Sequence, residues 1–591
     1  MAVATERSFL RQAWDLAWPY WKSEEKGSAI GLLTAIVALT LIMVWLNVRF
    51  NYWYNDFYDA LQQYQWSMFW WQFAIFGMLA LSFIVVGVYS AYLQGILHIR
   101  WRRWLTERFL GNWLENQSYY RMQLGQTTTD NPDQRIADDL NRFANQSLDL
   151  SLGLFNAIVT LLSFLSILWT LSGALTIPLG GDVEIAIPGY MVFAALIYAI
   201  GGTMATRLIG MPLIRLRFDQ QRYEADFRFS LGRLRENAEN VAFYGGEARE
   251  LASFQDRFAR VVANWWRIIK RRKKLTWFTY GYGQVAIVFP FLVAAPRYFD
   301  KAIQLGGLMQ ISSAFRQVQE SLSFIVNSYN EIAEYQAVVQ RLAGFRARMD
   351  EIAADRATAQ AINIERSGVG VAVEALDLDL PDGQPLRQDI SLSASPGKPL
   401  LITGPSGVGK STVLRAIAGL WPFGRGRIRM TDGRVLFLPQ RPYLPLGTLA
   451  DALVYPRAAD ELARDRLVEA LSAVGLPQLV DRLDEEGNWA QRLSIGEQQR
   501  LAFARVLLTR PEIVFLDEAT SALDEAAEMS LYRLLREAPW RPTIVSVGHH
   551  GTLQRLHDTV VDIGRRPVSQ AAVGWPGVGP SGRDGDPNEP P

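Results

Sequence analysis

At 591 residues, with 49% hydrophobic side chains and a net charge of +1, the chain is long enough for two or three domains, and its overall charge suggests neither a nucleic-acid nor an acidic partner. Cysteine is absent, which excludes disulfides and thiolate metal sites. The four histidines, His98, His549, His550 and His557, have no metal-ligand spacing.

The N-terminal stretch is polar and aromatic, with Arg7, Trp14, Trp18 and Trp21. It has no short apolar core or small-residue cleavage site, so no signal peptide is expected. Gly27 to Val48, Ser67 to Leu97, Leu150 to Gly181, Ile185 to Thr206 and Leu275 to Pro296 are apolar and free of carboxylates. Each reaches the length of about 20 residues that a bilayer crossing takes. A sixth stretch, Ala302 to Asn330, is interrupted by Arg316 and Glu320. A single such stretch fits a buried soluble helix; five in succession predict a multi-pass membrane domain, and the 19 Trp suit its interfaces.

Loop charge predicts orientation. Asn51 to Trp66 carries Asp56 and Asp59 but no Lys or Arg, and the loop around Asp182 and Glu184 is equally free of basic residues. Arg100, Arg102, Arg103 and Arg108 follow the second span, and Arg207 to Lys274 ends in the run Lys270-Arg271-Arg272-Lys273-Lys274. Basic loops stay cytoplasmic, so both termini are expected inside. Ile99 to Gln117 and Phe218 to Arg260 keep helical spacing and are expected to extend membrane helices into the cytoplasm.

The expected organisation is a transmembrane domain over 1–345, a linker over 346–368, an α/β P-loop ATPase domain over 369–565, and a Gly/Pro-rich disordered tail over 566–591. No internal repeat is visible.

The ATPase reading rests on ordered motifs. Gly404, Pro405, Ser406, Gly407, Val408, Gly409, Lys410, Ser411 and Thr412 spell GPSGVGKST between an apolar strand and a helix. Glycines there let backbone N–H groups close around phosphates, and the helix N-terminus adds a favourable field. Lys410 is placed to reach the β- and γ-phosphates of ATP, and Ser411 to ligate Mg²⁺. The string IVFLDE ends in two carboxylates: Asp517 for Mg²⁺ through water, and Glu518, on the opposite face of the strand, to polarise the attacking water. LSIGEQQR sets Ser494 and Gly496 at a helix start that presents donors to an anion. The P-loop already encloses its own nucleotide on one side, so those donors are expected to serve a second copy, which makes a homodimer with two composite sites.

These strings, with PQ ending at Gln440, SALD ending at Asp524 and SVGH ending at His549, resemble an ATP-binding-cassette half-transporter. The forms FLPQRPYLPLGTL, LSIGEQQRLAFAR and SVGHH are similar to the SbmA/BacA-like branch fused to an ATPase, with the peroxisomal subfamily D transporters as relatives. The membrane half agrees: NPDQRIADD from Asn131, ENAENVAFYGGEARE from Glu236 and the helix from Phe315 to Leu342 resemble elements of that branch. The resemblance implies an exporter-type fold of six all-α helices per chain, alternating access in a lipid bilayer, and loop segments near Pro132 and Glu239 that seat in grooves on the cassettes. It implies Gln440 as a phosphate sensor and Mg²⁺ ligand, His549 on the γ-phosphate and Asp524 beside the nucleotide. Two positions depart from the pattern: Leu380 stands where an aromatic usually stacks on adenine, and Ile495 replaces the second glycine of the signature.

The resemblance also implies a bacterial inner-membrane importer of bulky hydrophilic cargo, such as peptides, peptide antibiotics or corrinoids including vitamin B12. The five carboxylate-free spans favour ATP over a proton gradient as energy source. An exporter or lipid/acyl-CoA translocator on the same fold, and an ATP-gated protein that moves no cargo, are the alternatives.

Overall fold

The computed structural model describes residues 9–124, 131–178, 184–358, 362–548 and 551–564. His549, His550 and everything after residue 564 therefore lie outside the described residues, the expected tail included. The chain divides into two compact units, Met1–Asn116 with Thr129–Asp350, and Gln117–Thr128 with Glu351–Pro591.

The first unit is built on the helices Lys26–Gln62, Trp66–Leu114, Leu140–Ser172, Tyr190–Glu236, Glu247–Phe299 and Leu305–Asn327. The first five are long and apolar enough to cross a membrane. Leu81, Ile84 and Val88 leave their side chains exposed on the second of these helices. A band of that kind is stable against lipid tails, which are as apolar as the residues themselves. The segments expected to extend from the membrane helices are helical, with breaks at Asn237 and at Gly245–Gly246.

The stretch expected to span the bilayer from Leu150 to Gly181 is shorter. Its helix ends at Ser172, Gly173 takes φ +58, and Ala174–Pro178 pairs antiparallel with Glu184–Pro188. The β-branched pair Thr176-Ile177 favours a strand, which ends at Pro178.

Helix Leu305–Asn327 sits against four of the others, Lys26–Gln62, Leu140–Ser172, Tyr190–Glu236 and Glu247–Phe299. Its Ile311, Ala314, Phe315 and Val318 recur at helical spacing and bury in one cluster with Phe164, Leu168, Met191 and Ala195. Helix Lys26–Gln62 caps its N-terminus: Leu305 N–H donates to Gln62 Oε1 at 2.8 Å and Gly306 N–H to Asp59 Oδ1 at 2.7 Å. One turn on, the buried Asn51 amide donates to Gln310 O at 2.9 Å. Gly306 makes this approach possible, because a Cβ there would lie 2.1 Å from Asn55 O. Gly306→Ala is expected to cost about 1–3 kcal/mol, by separating the two helices; a lowered melting temperature in detergent checks it.

In the second unit a five-stranded parallel sheet runs in the order Thr559–Asp562, Leu400–Thr403, Thr543–Val547, Ile513–Asp517, Val435–Leu438. A four-stranded mixed sheet lies beside it, ordered Ile362–Arg366, Gly424–Met430, Val371–Asp379, Pro385–Ala394. Residues 346–368 carry the end of the helix Tyr329–Thr358 and the first of these strands. The short helix Ser118–Leu124 also belongs to this unit, with Arg121 donating to Gly419 O at 3.5 Å and Leu124 packed on the core around Leu414, Ile417 and Trp421. Pro132 and Glu239 lie in the first unit.

Candidate active site in the parallel sheet

Parallel sheets present their strand ends as a crevice for ligands. Strand Leu400–Thr403 leaves the sheet into the loop Gly404–Gly409 and enters helix Lys410–Ile417. Gly407 and Gly409 take φ +80 and +102, conformations that Cβ-bearing residues rarely adopt, and they turn the loop back on itself. Lys410 is 6% exposed, and its Nζ donates to Gly404 O at 2.9 Å and Pro405 O at 3.0 Å. The ammonium thus lies inside the arc formed by Gly404, Pro405, Ser406, Gly407 and Val408, with Ser411 and Thr412 on the first helical turn.

Ser411 Oγ donates to Asp517 Oδ1 at 2.9 Å, so the two oxygens read from the sequence as a magnesium pair are adjacent. Burial pushes the Asp517 carboxyl above its usual range, and the neighbouring Glu518 charge adds to this while the Ser411 hydroxyl opposes it. A desolvated carboxylate beside a second one is stabilised by a divalent cation. Among the described residues no group of three or more acidic or histidine side chains is placed to hold a metal ion. Mg²⁺ keeps several waters and takes few protein oxygens, so the adjacent Ser411 and Asp517 oxygens could hold it.

Glu518 is aimed differently from expectation. The strand ends at Asp517, and Glu518 takes φ +50 with its N–H donating to Val547 O at 3.0 Å. A left-handed turn, not strand alternation, separates the two carboxylates. Such a conformation costs a non-glycine residue free energy and collects at functional sites. Gln440 Nε2 donates to Glu518 Oε2 at 3.2 Å, which joins the second residue past strand Val435–Leu438 to this carboxylate.

Ser494 N-caps helix Ile495–Thr509 in a reciprocal box with Glu497, the Glu497 carboxylate accepting from Ser494 N–H at 2.9 Å and from its hydroxyl at 2.8 Å. Ile495 is 47% exposed. Gly496 lies against the following loop, where a Cβ would meet Ala522 O at 3.3 Å. Asp524 caps its own helix by accepting Ala527 N–H at 2.7 Å. Among the described residues no hydrogen bond joins Ser494, Gly496 or Asp524 to the P-loop.

Two buried polar residues absent from the sequence reading hold these loops in register. Gln499, fully buried, donates to Gln440 O at 3.1 Å and Ser521 Oγ at 3.2 Å and accepts from Ala522 N–H at 3.0 Å. Glu528, 2% exposed, accepts from Thr520 Oγ1 at 2.6 Å and Thr552 Oγ1 at 2.5 Å. Thr552 follows the His549-His550 pair by two residues, so Glu528 ties the loop after Glu518 to the segment beyond the histidines. A third buried chain fixes the strand before them: Tyr532 O–H donates to Ser546 Oγ at 3.1 Å, and Ser546 Oγ lies 2.8 Å from His557 Nε2. Burial holds His557 below its usual pKa, hence neutral. Its Nδ1 faces Leu553 O at 2.7 Å and so carries the proton, which leaves Nε2 to accept from Ser546.

Each hub was readable in principle. Gln499 shares a helical face with Phe503 and Val506, and Glu528 shares one with Leu531, Tyr532 and Leu535, all buried. A polar residue on an apolar stripe marks a buried network. Glu528→Ala leaves both threonines short of an acceptor; a loss of about 1–3 kcal/mol in unfolding free energy is expected, together with slower ATP turnover at unchanged KM for ATP, read by steady-state kinetics.

Comparison with known proteins agrees with this geometry. Residues 17–299 match the ABC transporter transmembrane region 2 family and residues 387–521 the ABC transporter family. An uncharacterised ABC transporter ATP-binding protein of Haemophilus influenzae is 38% identical over 93% of this chain and 91% of its own. The inner membrane ABC transporter ATP-binding protein YddA of Escherichia coli is 33% identical over 92% and 96%. The human lysosomal cobalamin transporter ABCD4, of subfamily D, is 28% identical over 79% and 80%. In fold, the chain is similar to a bacterial Atm1-family ABC exporter with ATP bound, at TM-score 0.69 and 18% identity, covering 90% of this chain and 94% of that one. A helical membrane region joined to a P-loop sheet that carries Lys410, Ser411 and Asp517 in one cradle makes this chain a member of the ABC transporter family, which couples hydrolysis of ATP with Mg²⁺ to transport across a membrane.

Proposed function

We propose that two copies of the chain form a homodimer in a bacterial inner membrane, with both termini cytoplasmic, and import bulky hydrophilic solutes such as peptides, peptide antibiotics or corrinoids. In each site Lys410 and the backbone from Gly404 to Thr412 hold the phosphates, while Ser411, Gln440 and Asp517 hold Mg²⁺, which neutralises developing charge. Glu518 orients the attacking water. Ser494 and Gly496 of one copy, with Asp524 near them, close over the γ-phosphate held by the other, and His549 completes the set.

The observation that carries the hydrophilic-cargo reading is the two-faced helix Leu305–Asn327. One face is buried in the apolar core, and the other brings Ser312, Ser313, Arg316, Gln319 and Glu320 to a cavity of about 440 Å³. Polar and charged side chains inside a membrane bundle line water-filled paths. The relative named for cobalamin transport carries a bulky cargo of this kind, and the SbmA/BacA-like motifs add the peptide class.

Uptake of labelled peptide or cobalamin by cells expressing the chain tests the reading. Accumulation is expected, and it disappears in Glu518→Gln. ATP-dependent extrusion of the same solutes means an exporter, and solute flux that persists in Glu518→Gln means ATP does not drive it.

A further inference from the structure

The cavity beside helix Leu305–Asn327 has a chemistry that narrows the cargo, on the premise that the chain transports hydrophilic solutes. Arg316 sits at the middle of this 23-residue helix, and Glu320 lies one turn further on the same face. Both are exposed to the cavity, and among the described residues neither makes an ion pair. A charge at that depth is costly unless water, a partner or a ligand satisfies it. Here two opposite charges stand one helical turn apart, roughly 6 Å along the axis.

The other walls are unlike this one. Tyr54 and Tyr58, from helix Lys26–Gln62, stack with centroids 6.3 Å apart at 16° and present a half-buried aromatic face. Gly283, from helix Glu247–Phe299, leaves its wall open: a Cβ there would meet nothing within 4 Å. The walls hold their shape from below, since Asn51 and Gln310 are hydrogen-bonded and buried one turn away on the same two helices.

We propose that this cavity recognises a short peptide with free termini: Arg316 takes its carboxylate, Glu320 its ammonium, and the Tyr54–Tyr58 face an apolar or aromatic side chain. Arg pairs bidentately with carboxylates, and its charge does not titrate near neutral pH. The spacing of the two charges along the helix is close to the span of a dipeptide backbone, about 7 Å, and the long, flexible side chains of Arg316 and Glu320 can splay to the termini of a tripeptide, about 10 Å apart when extended.

The full chain in proteoliposomes, given a radiolabelled Phe-Ala-Gly tripeptide, its N-acetylated form and its C-amidated form, tests this. For the wild type, the free tripeptide is expected to be taken up with a KM about 10- to 100-fold below either blocked form. Arg316→Gln is expected to raise the KM of the free peptide by a similar factor and to treat amidated and free peptide alike. Glu320→Gln does the same for the acetylated form. Gly283→Leu, which fills the open wall, is expected to block uptake of all three. A general folding defect does not produce this exchange of specificities. Uptake that needs Glu518 yet ignores Arg316 and Glu320 overturns the inference and leaves the transporter reading standing. No ATP-dependent uptake of any form overturns the inference, and movement of phosphatidylethanolamine between leaflets in its place reassigns the charge pair to a lipid headgroup.

Discussion

Glu518→Gln is expected to reduce ATP turnover by about 10²- to 10⁴-fold while nucleotide affinity stays near the wild-type value. The substitution keeps the shape of the side chain and removes its charge. Gln440 Nε2, 3.2 Å from Glu518 Oε2, can still face an amide oxygen. The left-handed backbone at φ +50 and the N–H bond to Val547 O place the new side chain where the old one stood. What disappears is the group able to draw a proton from the attacking water. Lys410, Ser411 and Asp517 are untouched, so phosphate and magnesium contacts survive. Asp517→Asn is the informative contrast. It removes the buried carboxylate beside Ser411 and is expected to weaken binding of the magnesium complex before it slows chemistry. Single-turnover hydrolysis and equilibrium binding of a fluorescent ATP analogue separate the two. A fall in turnover below tenfold for Glu518→Gln assigns the base to another residue.

The parts of this site that lie contiguous in the chain were legible in its sequence. GPSGVGKST announced a strand, a phosphate-binding loop and a helix, and Leu400–Thr403 and Lys410–Ile417 flank that loop in the fold. Ser411 and Asp517, 106 positions apart, were paired by motif and are in contact. What stayed hidden depends on tertiary context. The end of the third span at Ser172 turned on Gly173 and a β-branched pair inside a run whose apolarity never changes, and apolarity alone does not separate helix from strand. The packing of Ser118–Leu124 on the ATPase core carries no motif, because contacts such as Arg121 to Gly419 O and the half-buried Leu124 depend on residues far along the chain. Gln499 lay unremarked inside the LSIGEQQR string and Glu528 belongs to no motif, and the roles of both come from loops brought together by the sheet.

Mixing two inactive variants is expected to restore activity if the sites are shared between copies. Lys410→Ala removes the ammonium held over the P-loop. Gly496→Asp places a side chain where even a Cβ lies 3.3 Å from Ala522 O, and adds a negative charge at a helix start meant for phosphate. Each variant alone has both sites broken. When the two are co-expressed, the mixed dimer has one site carrying both defects and one carrying neither. Random pairing makes about half the dimers mixed, each with one of two sites intact, so about a quarter of wild-type turnover is expected for sites that work independently. The same preparation made with wild-type chain and Lys410→Ala holds about a quarter wild-type dimers and about half mixed dimers with one intact site, so turnover above about a quarter of wild type, and about half for independent sites, calibrates what a single site can do. Activity in that control above the quarter that wild-type dimers supply, without recovery in the variant mixture, places the P-loop and the signature helix of one working site on the same copy. Recovery in both means that the donors of Ser494 and Gly496, which touch no phosphate loop within the described chain, act on the nucleotide of their neighbour.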